Sequence, residues 1–552
     1  MTYPYQNQAE PMKPKPSYTR RDLVFSLVFF VAGLTFSLAM PFRASPLAVF
    51  LSLVVLFVLT ALCYGKGAIA AKRRSVIMIV LYAVFLLPFL TNANATLRFF
   101  TFLFLLLLLA FYWYDKTVLC HAPLLDGDLI SQLYKAISAY FLRYSAAFGA
   151  IASAIGRGEK SKKGARTIGY IFLGLGLAIL PTVMIGALLS YDASFTALLD
   201  NIFDFSFEKV FARIWDIIVA ILLGSAFYSL MRTSLHREEL PEKKKIEFHH
   251  SAIQRPILYA AVTPILILYA LFFISQKDYY LSAFTKTLPE GLTFAEYARE
   301  GFFELCTVAC INALLLLVFS LLMKKKEGSR EILRRVYQGV IAFFTLILIA
   351  TAFSKMFLYI DTYGLTHKRV YASWLMAVLA LLFVAILVKQ FFKKLPFVKV
   401  ALVITVLMLA LITLPNIDGV IADYNVEGYL DKTLDTVDIE ELESLGISSV
   451  EARVRLEREW MAREDTLTED ERAALGRLST GLDREWKQLD ARFFAFSIPQ
   501  ARARRLLEER ADRGRDRGDV YGDFVYLPIQ KSARKDRVRA LWGHISKQSG
   551  IW

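Results

Sequence analysis

The feature that most constrains this chain is a repeated one: uncharged apolar runs of about 17–23 residues, each long enough to cross a bilayer as a helix. In such a segment every backbone N–H and C=O must be satisfied within the segment, which leaves the helix or the closed barrel. The runs are continuous rather than alternating, which disfavours a barrel. Composition agrees, with 56% hydrophobic and only 21% charged residues. The fold class read from the sequence is therefore all-α: a polytopic transmembrane helix bundle of about 11 spans with a C-terminal soluble helical domain.

A formal net charge of +15 invites a nucleic-acid reading, but the placement of the charge argues against it. Roughly thirty Lys and Arg fall in every second loop, and fewer than about ten in the loops between, the pattern of the positive-inside rule. The implied order begins with a cytoplasmic lead (residues 1–22) and four spans over 23–114, the fourth ending in FYWYDK, an aromatic interfacial belt followed by charges. A cytoplasmic connection follows over 115–167, then spans five to eleven over 168–415 and an extracytoplasmic helical domain over 416–552. The implied location is the cytoplasmic (inner) membrane of a bacterium, with the N-terminus inside.

Within the connection, Leu129, Leu133, Ala136, Ile137, Tyr140 and Tyr144 recur at helical spacing. This reads as an amphipathic helix on the membrane surface or as one packed against the bundle. The tail carries four capping boxes: Asp438 with Glu441, Ser448 with Glu451, Thr468 with Glu471, and Ser497 with Gln500. It has no cysteine, so no disulfide holds it, and its Arg-rich end invites anionic lipid headgroups or an envelope polymer.

No HExxH, GxSxG, P-loop or strand-bound GxGxxG is present, and no Cys/His spacing suits a metal. No catalytic, cofactor-binding or metal-binding residue is therefore assigned. The candidate site is instead a polar set near the outer ends of the spans: Asp216, Glu304, Asn312, Lys355, Asp361 and Arg369. Charge inside a membrane segment marks either a substrate or proton path or a paired network that docks helices. Glu304 and Lys355 lie about one turn inside consecutive antiparallel spans, so similar depth is expected, with Glu304 as the first-choice partner of Lys355.

At these residues the chain resembles a family of bacterial multi-pass membrane proteins catalogued as a domain of unknown function, the DUF4173 type related to DUF4153. LPEGLTFAEYAREGFFEL, with Pro289, Glu290, Gly291, Glu296, Tyr297 and Arg299, is similar to the family's LPEGxxYAEYARRGFFEL. KMFLYIDTYGLTHKRVY, with Tyr363 and Gly364, resembles RMxLYxxxYGLTxxRxY, and ADYNVEGYL, with Tyr424 and Asn425, resembles ARYNVxRYL. FFAFSIPQARARRLL resembles the family's FNLSRxRARxLL, so the resemblance spans roughly residues 168–507. Glu300, Lys355 and Gly428 depart from the family pattern, and at Lys355 the charge survives where bidentate pairing does not. The resemblance implies architecture and localisation and brings no established activity.

Three functions are compatible with these readings. The first is a non-enzymatic envelope scaffold or sensor whose tail recognises an extracytoplasmic protein or envelope polymer. The second is a transporter or channel using the charged set, and the third an enzyme acting on a lipid-linked substrate. The lipid bilayer is a partner in each, and nucleic acid in none.

Overall fold

A computed structural model describes residues 18–39, 46–64, 73–117, 129–155, 207–235, 255–275, 302–322, 329–392, 394–490 and 497–517. The fifth expected span (168–190), the motif residues Pro289, Glu290, Gly291, Glu296, Tyr297 and Arg299, and the far end of the tail lie outside them. Among the described residues every regular element is helical.

The first group of helices is α1 (Arg20–Ala39), α2 (Pro46–Tyr64), α3 (Arg73–Leu86), α4 (Pro88–Thr91), α5 (Ala95–Thr117), α6 (Leu129–Ser138), α7 (Ala146–Ile155) and α8 (Phe207–Leu235). These share one core in which Phe29, Leu53, Phe85, Leu105, Trp113 and Phe227 are almost fully buried. A second core joins α9 (Arg255–Ser275), α10 (Phe302–Leu322), α11 (Ser329–Tyr363) and α12 (His367–Phe391). α13 (Phe397–Thr413) packs on α12 and places Val406, Leu409 and Ala410 against the first core. The chain beyond continues through α14 (Ile417–Leu430), α15 (Ile439–Ser444), α16 (Val450–Ala462), α17 (Glu469–Asp490) and α18 (Ile498–Arg517). Met1–Arg504 is one compact unit and Arg505–Trp552 a second.

Five helical segments are long and apolar enough to cross a membrane: Pro46–Tyr64, Ala95–Trp113, Arg213–Leu235, Ile332–Tyr363 and His367–Phe391. A sixth is possible if α13 and α14, bent by 60° across a short break, count as one span. At the expected third, seventh and eighth spans, the described residues contain the apolar stretches Ser75–Thr91 of α3–α4, Tyr259–Ser275 of α9 and Glu304–Leu316 of α10. Eleven full-length spans is therefore more than the described residues support.

Two local expectations are corrected. The aromatic end of α5 forms no interfacial belt at Trp113, which is fully buried, stacked on Tyr64 at 4.6 Å and donating from Nε1 to Thr60 Oγ1 at 3.1 Å. A buried indole with a partner for its N–H is as well satisfied as one at a wet interface. In the tail, Asp438, Thr468 and Ser497 accept from the backbone N–H three residues on, as capping boxes require. Ser448 does not: it lies inside the short 3-10 helix Gly446–Ser449 that precedes α16, and its hydroxyl donates to Asn416 Oδ1 at 2.8 Å. The Tyr429 hydroxyl, donating to Glu471, and the backbone N–H of Thr468 together hold the Glu471 carboxyl below its ordinary range.

Over residues 129–155 the connection forms two short helices, α6 and α7, joined by a turn. Ala136, Ala139 and Tyr140 are buried against the bundle, while Ile137, Phe141, Leu142 and Phe148 stay exposed.

α1 and α8 make the tightest crossing, through glycine on both sides. A Cβ on Gly33 would collide with the Ala220 carbonyl oxygen and sit 2.8 Å from the Gly224 nitrogen. A Cβ on Gly224 would sit 2.8 Å from the Phe29 carbonyl oxygen. Without a hydrophobic drive between helices in lipid, such backbone contact is a main source of association. Gly33→Ala is expected to lower thermal stability in detergent by about 1–3 kcal/mol, the usual cost of over-packing. Gly339→Ala, whose Cβ would find its nearest neighbour 3.7 Å away, is expected to be neutral or stabilising. Equal effects of the two substitutions would contradict this account of the crossing.

Candidate functional site: the polar junction at the α13–α14 break

α13 ends at Leu414-Pro415-Asn416, where proline cannot continue the helical ladder. The carbonyls released there need partners. They find them in the polar turn between α4 and α5, TNANAT. Thr91 Oγ1 donates to the Leu414 carbonyl at 2.9 Å. Asn92 Nδ2 donates to the Pro415 carbonyl at 3.0 Å and the Thr413 carbonyl at 3.3 Å. Asn92 is completely buried, so its amide is committed to this role.

One residue into α14, Asp418 is also buried. Its Oδ1 accepts from Asn94 Nδ2 at 2.8 Å and from His367 Nε2 at 2.8 Å. An ionised carboxylate only accepts, so His367 carries a proton on Nε2. The 3.2 Å approach of Asn94 Nδ2 to the same ring nitrogen is then a contact between two donors, drawn together by their shared acceptor. Asp418 in the first turn of α14 also complements the positive end of that helix.

The second half of the junction is built from the family-like segment YGLTHKR. Gly364 ends α11 with φ +73°, a left-handed conformation that favours glycine. Its N–H donates to the Ile360 carbonyl at 2.8 Å. Thr366 caps α12, accepting from the Arg369 N–H. The Arg369 side chain turns back to donate to the carbonyls of Tyr363 and Gly364, and its guanidinium lies 4.0 Å above the Tyr359 ring. Motif spacing thus encodes a helix end, a helix start and the cation that closes the gap. Asn425 of α14 reads this turn with both ends of its amide. It accepts from the Leu365 N–H at 2.6 Å and donates to the Leu365 carbonyl at 2.8 Å. A Cβ on Gly364 would strike Asn425 Oδ1, so glycine is needed here for space as well as for backbone conformation.

Of the residues expected from sequence, Arg369, Tyr363, Gly364 and Asn425 meet here. Tyr424 lies beside them on α14 but stays exposed, as does Asp361 at the end of α11. The others are dispersed. Asp216 is buried in α8, 3.6 Å from Arg213 one turn earlier. Asn312 is buried in the second core, where its Oδ1 accepts from the Tyr269 hydroxyl at 2.7 Å and its Nδ2 donates to Thr345 Oγ1 at 2.9 Å. That contact sets α10 against α11. Counting equally from it, Glu304 falls level with Phe353, about 3 Å along the axis from Lys355 at 1.5 Å per residue. The depths agree, but the faces do not. Lys355 is 4% exposed, whereas Glu304 is exposed and belongs to none of the ion pairs among the described residues. The expected Lys355–Glu304 pair is not formed, because helical angle rather than depth separates the two groups.

Sequence reasoning missed Thr91, Asn92, Asn94, His367 and Asp418. A signal was present, since TNANAT places four hydrogen-bonding side chains in six residues between two apolar helices. Among the described residues no group of three or more His, Cys, Asp or Glu is placed to hold a metal ion.

Fold and junction together define an all-helical protein with several membrane-compatible helices and a polar latch at a helix break. The family model described as "Domain of unknown function (DUF4153)" matches residues 23–456, most of the chain, and the protein belongs to that family. The match runs from α1 through the junction and into α16, so the break and its partners lie within the family unit. No curated protein and no solved structure matches the chain significantly.

Replacing Asn425 by leucine would strand the N–H and carbonyl of Leu365, at a cost of about 1–3 kcal/mol for each buried group left unpaired. Asn425→Leu is therefore expected to lower the detergent melting temperature well beyond the effect of Tyr424→Leu at the exposed neighbour. Similar shifts for the two would remove Asn425 from the latch.

Proposed function

We propose that this protein is a non-enzymatic multi-pass scaffold or sensor of a bacterial inner membrane, with an extracytoplasmic tail that recognises a partner protein or envelope polymer. The observation that carries this reading is how the signature residues are used. Arg369 donates to the carbonyls of Tyr363 and Gly364, and Asn425 pairs with both backbone groups of Leu365, holding α14 to the α11–α12 turn. Residues used in this way transmit position between a bundle and a tail. They offer no nucleophile beside a base, the arrangement covalent catalysis asks for. The charge bias of the loops supports placing the tail outside.

A transport reading is favoured by one observation, the 60° break between α13 and α14, since broken helices line many transport sites. In those sites, however, the freed carbonyls face the ion. Here three of them are bonded to Thr91 and Asn92. Buried Lys355 and Asn312 would then be the groups along the path.

The experiment has two arms. A photo-crosslinking residue at Arg477, on the exposed face of α17, is expected to trap discrete envelope adducts in cells, and a reporter fused after Trp552 to be active only in its translocated form. The purified protein in liposomes is expected to pass no ions or protons. A flux abolished by Lys355→Met, with no adduct at Arg477, would replace this reading by transport.

A further inference from the structure

Three of the membrane-compatible segments, Pro46–Tyr64, Ala95–Trp113 and Arg213–Leu235, end side by side. The Tyr64 ring stacks on Trp113 at 4.6 Å, and the Tyr64 hydroxyl donates to the Ser234 carbonyl at 3.3 Å. The start of α1 joins them: Arg21 donates to the Cys63 carbonyl at 2.8 Å, and Asp22 accepts from Arg232 at 3.0 Å. These groups mark one level, at the end of the bundle that loop charge assigns to the cytoplasm.

The α6–α7 hairpin lies well inside that level. Its turn is bonded to α8 at Ser229. The Arg143 N–H donates to Ser229 Oγ at 3.0 Å, and the Ser229 hydroxyl donates to the Ala139 carbonyl at 2.9 Å. Ser229 stands five residues before Ser234, about 7 Å deeper at 1.5 Å per residue. The Tyr140 hydroxyl donates at 2.7 Å to the carbonyl of Leu106, seven residues before Trp113 and about 10 Å deep. The Phe148 ring lies 5.8 Å from that of Phe30, eight residues beyond Asp22 and about 12 Å deep. The Tyr144 hydroxyl donates at 3.0 Å to the carbonyl of Leu222, twelve residues before Ser234. That is about 18 Å deep, near the middle of a hydrocarbon layer about 30 Å thick. Four contacts, on three different helices, thus place the turn and its flanks at membrane depth.

Backbone that leaves helical geometry at such a depth has to be satisfied by protein. The N–H of Ala139 donates to the Lys135 carbonyl, that of Tyr140 to Ile137, and those of Phe141 and Leu142 to Ser138. Arg143 uses Ser229, Tyr144 the Phe141 carbonyl and Ala146 the Arg143 carbonyl. A turn in water could leave several of these to solvent.

The side chains divide in the same sense. Ala136, Ala139, Ala147 and Ala150 are buried against the bundle, whereas Tyr134, Ile137, Phe141 (64%), Leu142 (40%) and Phe148 are exposed. Five large apolar side chains exposed within fifteen residues form a patch that water would penalise. At the same depth Val58 of α2 and Leu222 of α8 are also exposed, and both belong to membrane-compatible segments. The patch therefore continues the lipid-facing surface of the bundle. Arg143 is the one charge on the turn, and an arginine keeps its head toward water by laying its stem along apolar surface.

We propose that α6 and α7 form a re-entrant hairpin, which enters the inner leaflet from the cytoplasmic side and returns. Its partner is lipid hydrocarbon: Tyr134, Ile137, Phe141, Leu142 and Phe148 lie against acyl chains. Neither a surface-lying helix nor one covered by the bundle describes it. Because the hairpin returns, the charged stretches before and after it keep the same side, and the alternation of loop charge is unchanged. The proposal rests on the bundle being in a membrane and stands whether the protein is a scaffold or a transporter.

The test uses the full-length protein, in a cysteine-free background, in liposomes of phosphatidylcholine and phosphatidylglycerol. Spin labels at Phe141→Cys and Leu142→Cys are compared with one at Val58→Cys in a span and one at Arg20→Cys at the helix start. Collisions with oxygen and with a water-soluble nickel chelate read the depth. Both hairpin labels are expected to favour oxygen and to lie within about 3 Å of the Val58→Cys depth, two residues of helical rise. Nickel access like that of Arg20→Cys would overturn the hairpin and leave a surface helix. Shielding from both reagents would also overturn it, because protein rather than lipid would cover the face. Nickel access at Val58→Cys would remove the membrane reading itself, and the hairpin with it. In the unsubstituted protein, a phosphatidylcholine carrying a diazirine in its acyl chain is expected to label peptides from residues 134–148. Labelling of α2 and α8 peptides without these would overturn the proposal independently of any variant.

Discussion

The helix break at Leu414-Pro415-Asn416 sets the terms for much of what surrounds it. A proline at the end of an apolar helix releases carbonyls in a place where water is scarce, and each buried unpaired group costs on the order of 1–3 kcal/mol. Thr91 and Asn92 supply the donors. Because these donors sit between α4 and α5, the first bundle is tied to α13 and α14 across more than three hundred residues of sequence. The 60° bend then directs α14 onto the α11–α12 turn, where Asn425 and Asp418 find their partners.

The result is a joint with little freedom. Asn425 pairs with both backbone groups of one residue, so its hold depends on direction as well as distance. Gly364 must be in the left-handed region for that pair to form, and Arg369 keeps the turn closed by bonding its carbonyls. A movement of α11 against α12 would have to break this set or carry α14 with it. That coupling is what a sensor or scaffold needs from its framework, and it requires no chemistry at the joint. The glycine crossing of α1 and α8 plays a comparable part in the first core, where backbone contact replaces the hydrophobic drive that lipid removes.

Much of this was legible in the sequence because it is local. Continuous apolar runs gave the helices, and YGLTHKR encodes a helix end and a helix start within seven residues. Three of the four expected caps accept from the backbone N–H three residues on, and Thr468 with Glu471 completes the reciprocal box. What escaped depends on which face a residue presents or on what it meets far along the chain. Glu304 and Lys355 were placed at matching depth, but depth comes from counting residues, whereas pairing needs the helical angle that packing decides. Ser448 sits one residue too early to cap α16, inside a 3-10 helix, and bonds instead to Asn416, thirty-two positions away. Asn92, Asn94 and Asp418 carry no motif of their own, since an asparagine in a turn looks the same whether it faces solvent or a broken helix. Apolar runs alone do not settle the number of spans: the described residues give five helices long and apolar enough to cross a membrane, or six if the bent α13–α14 pair is one.

The central claim is that the Asn425 clamp on Leu365 holds α14 to the bundle. Hydrogen–deuterium exchange of the detergent-solubilised protein reads it directly, through peptides covering residues 360–370 and 413–425. In the wild type both should be strongly protected. In Asn425→Ala both should exchange faster together, while peptides from the α1–α8 crossing stay unchanged. Rapid exchange at residues 360–370 in the wild type, or protection there that survives Asn425→Ala, would contradict the account.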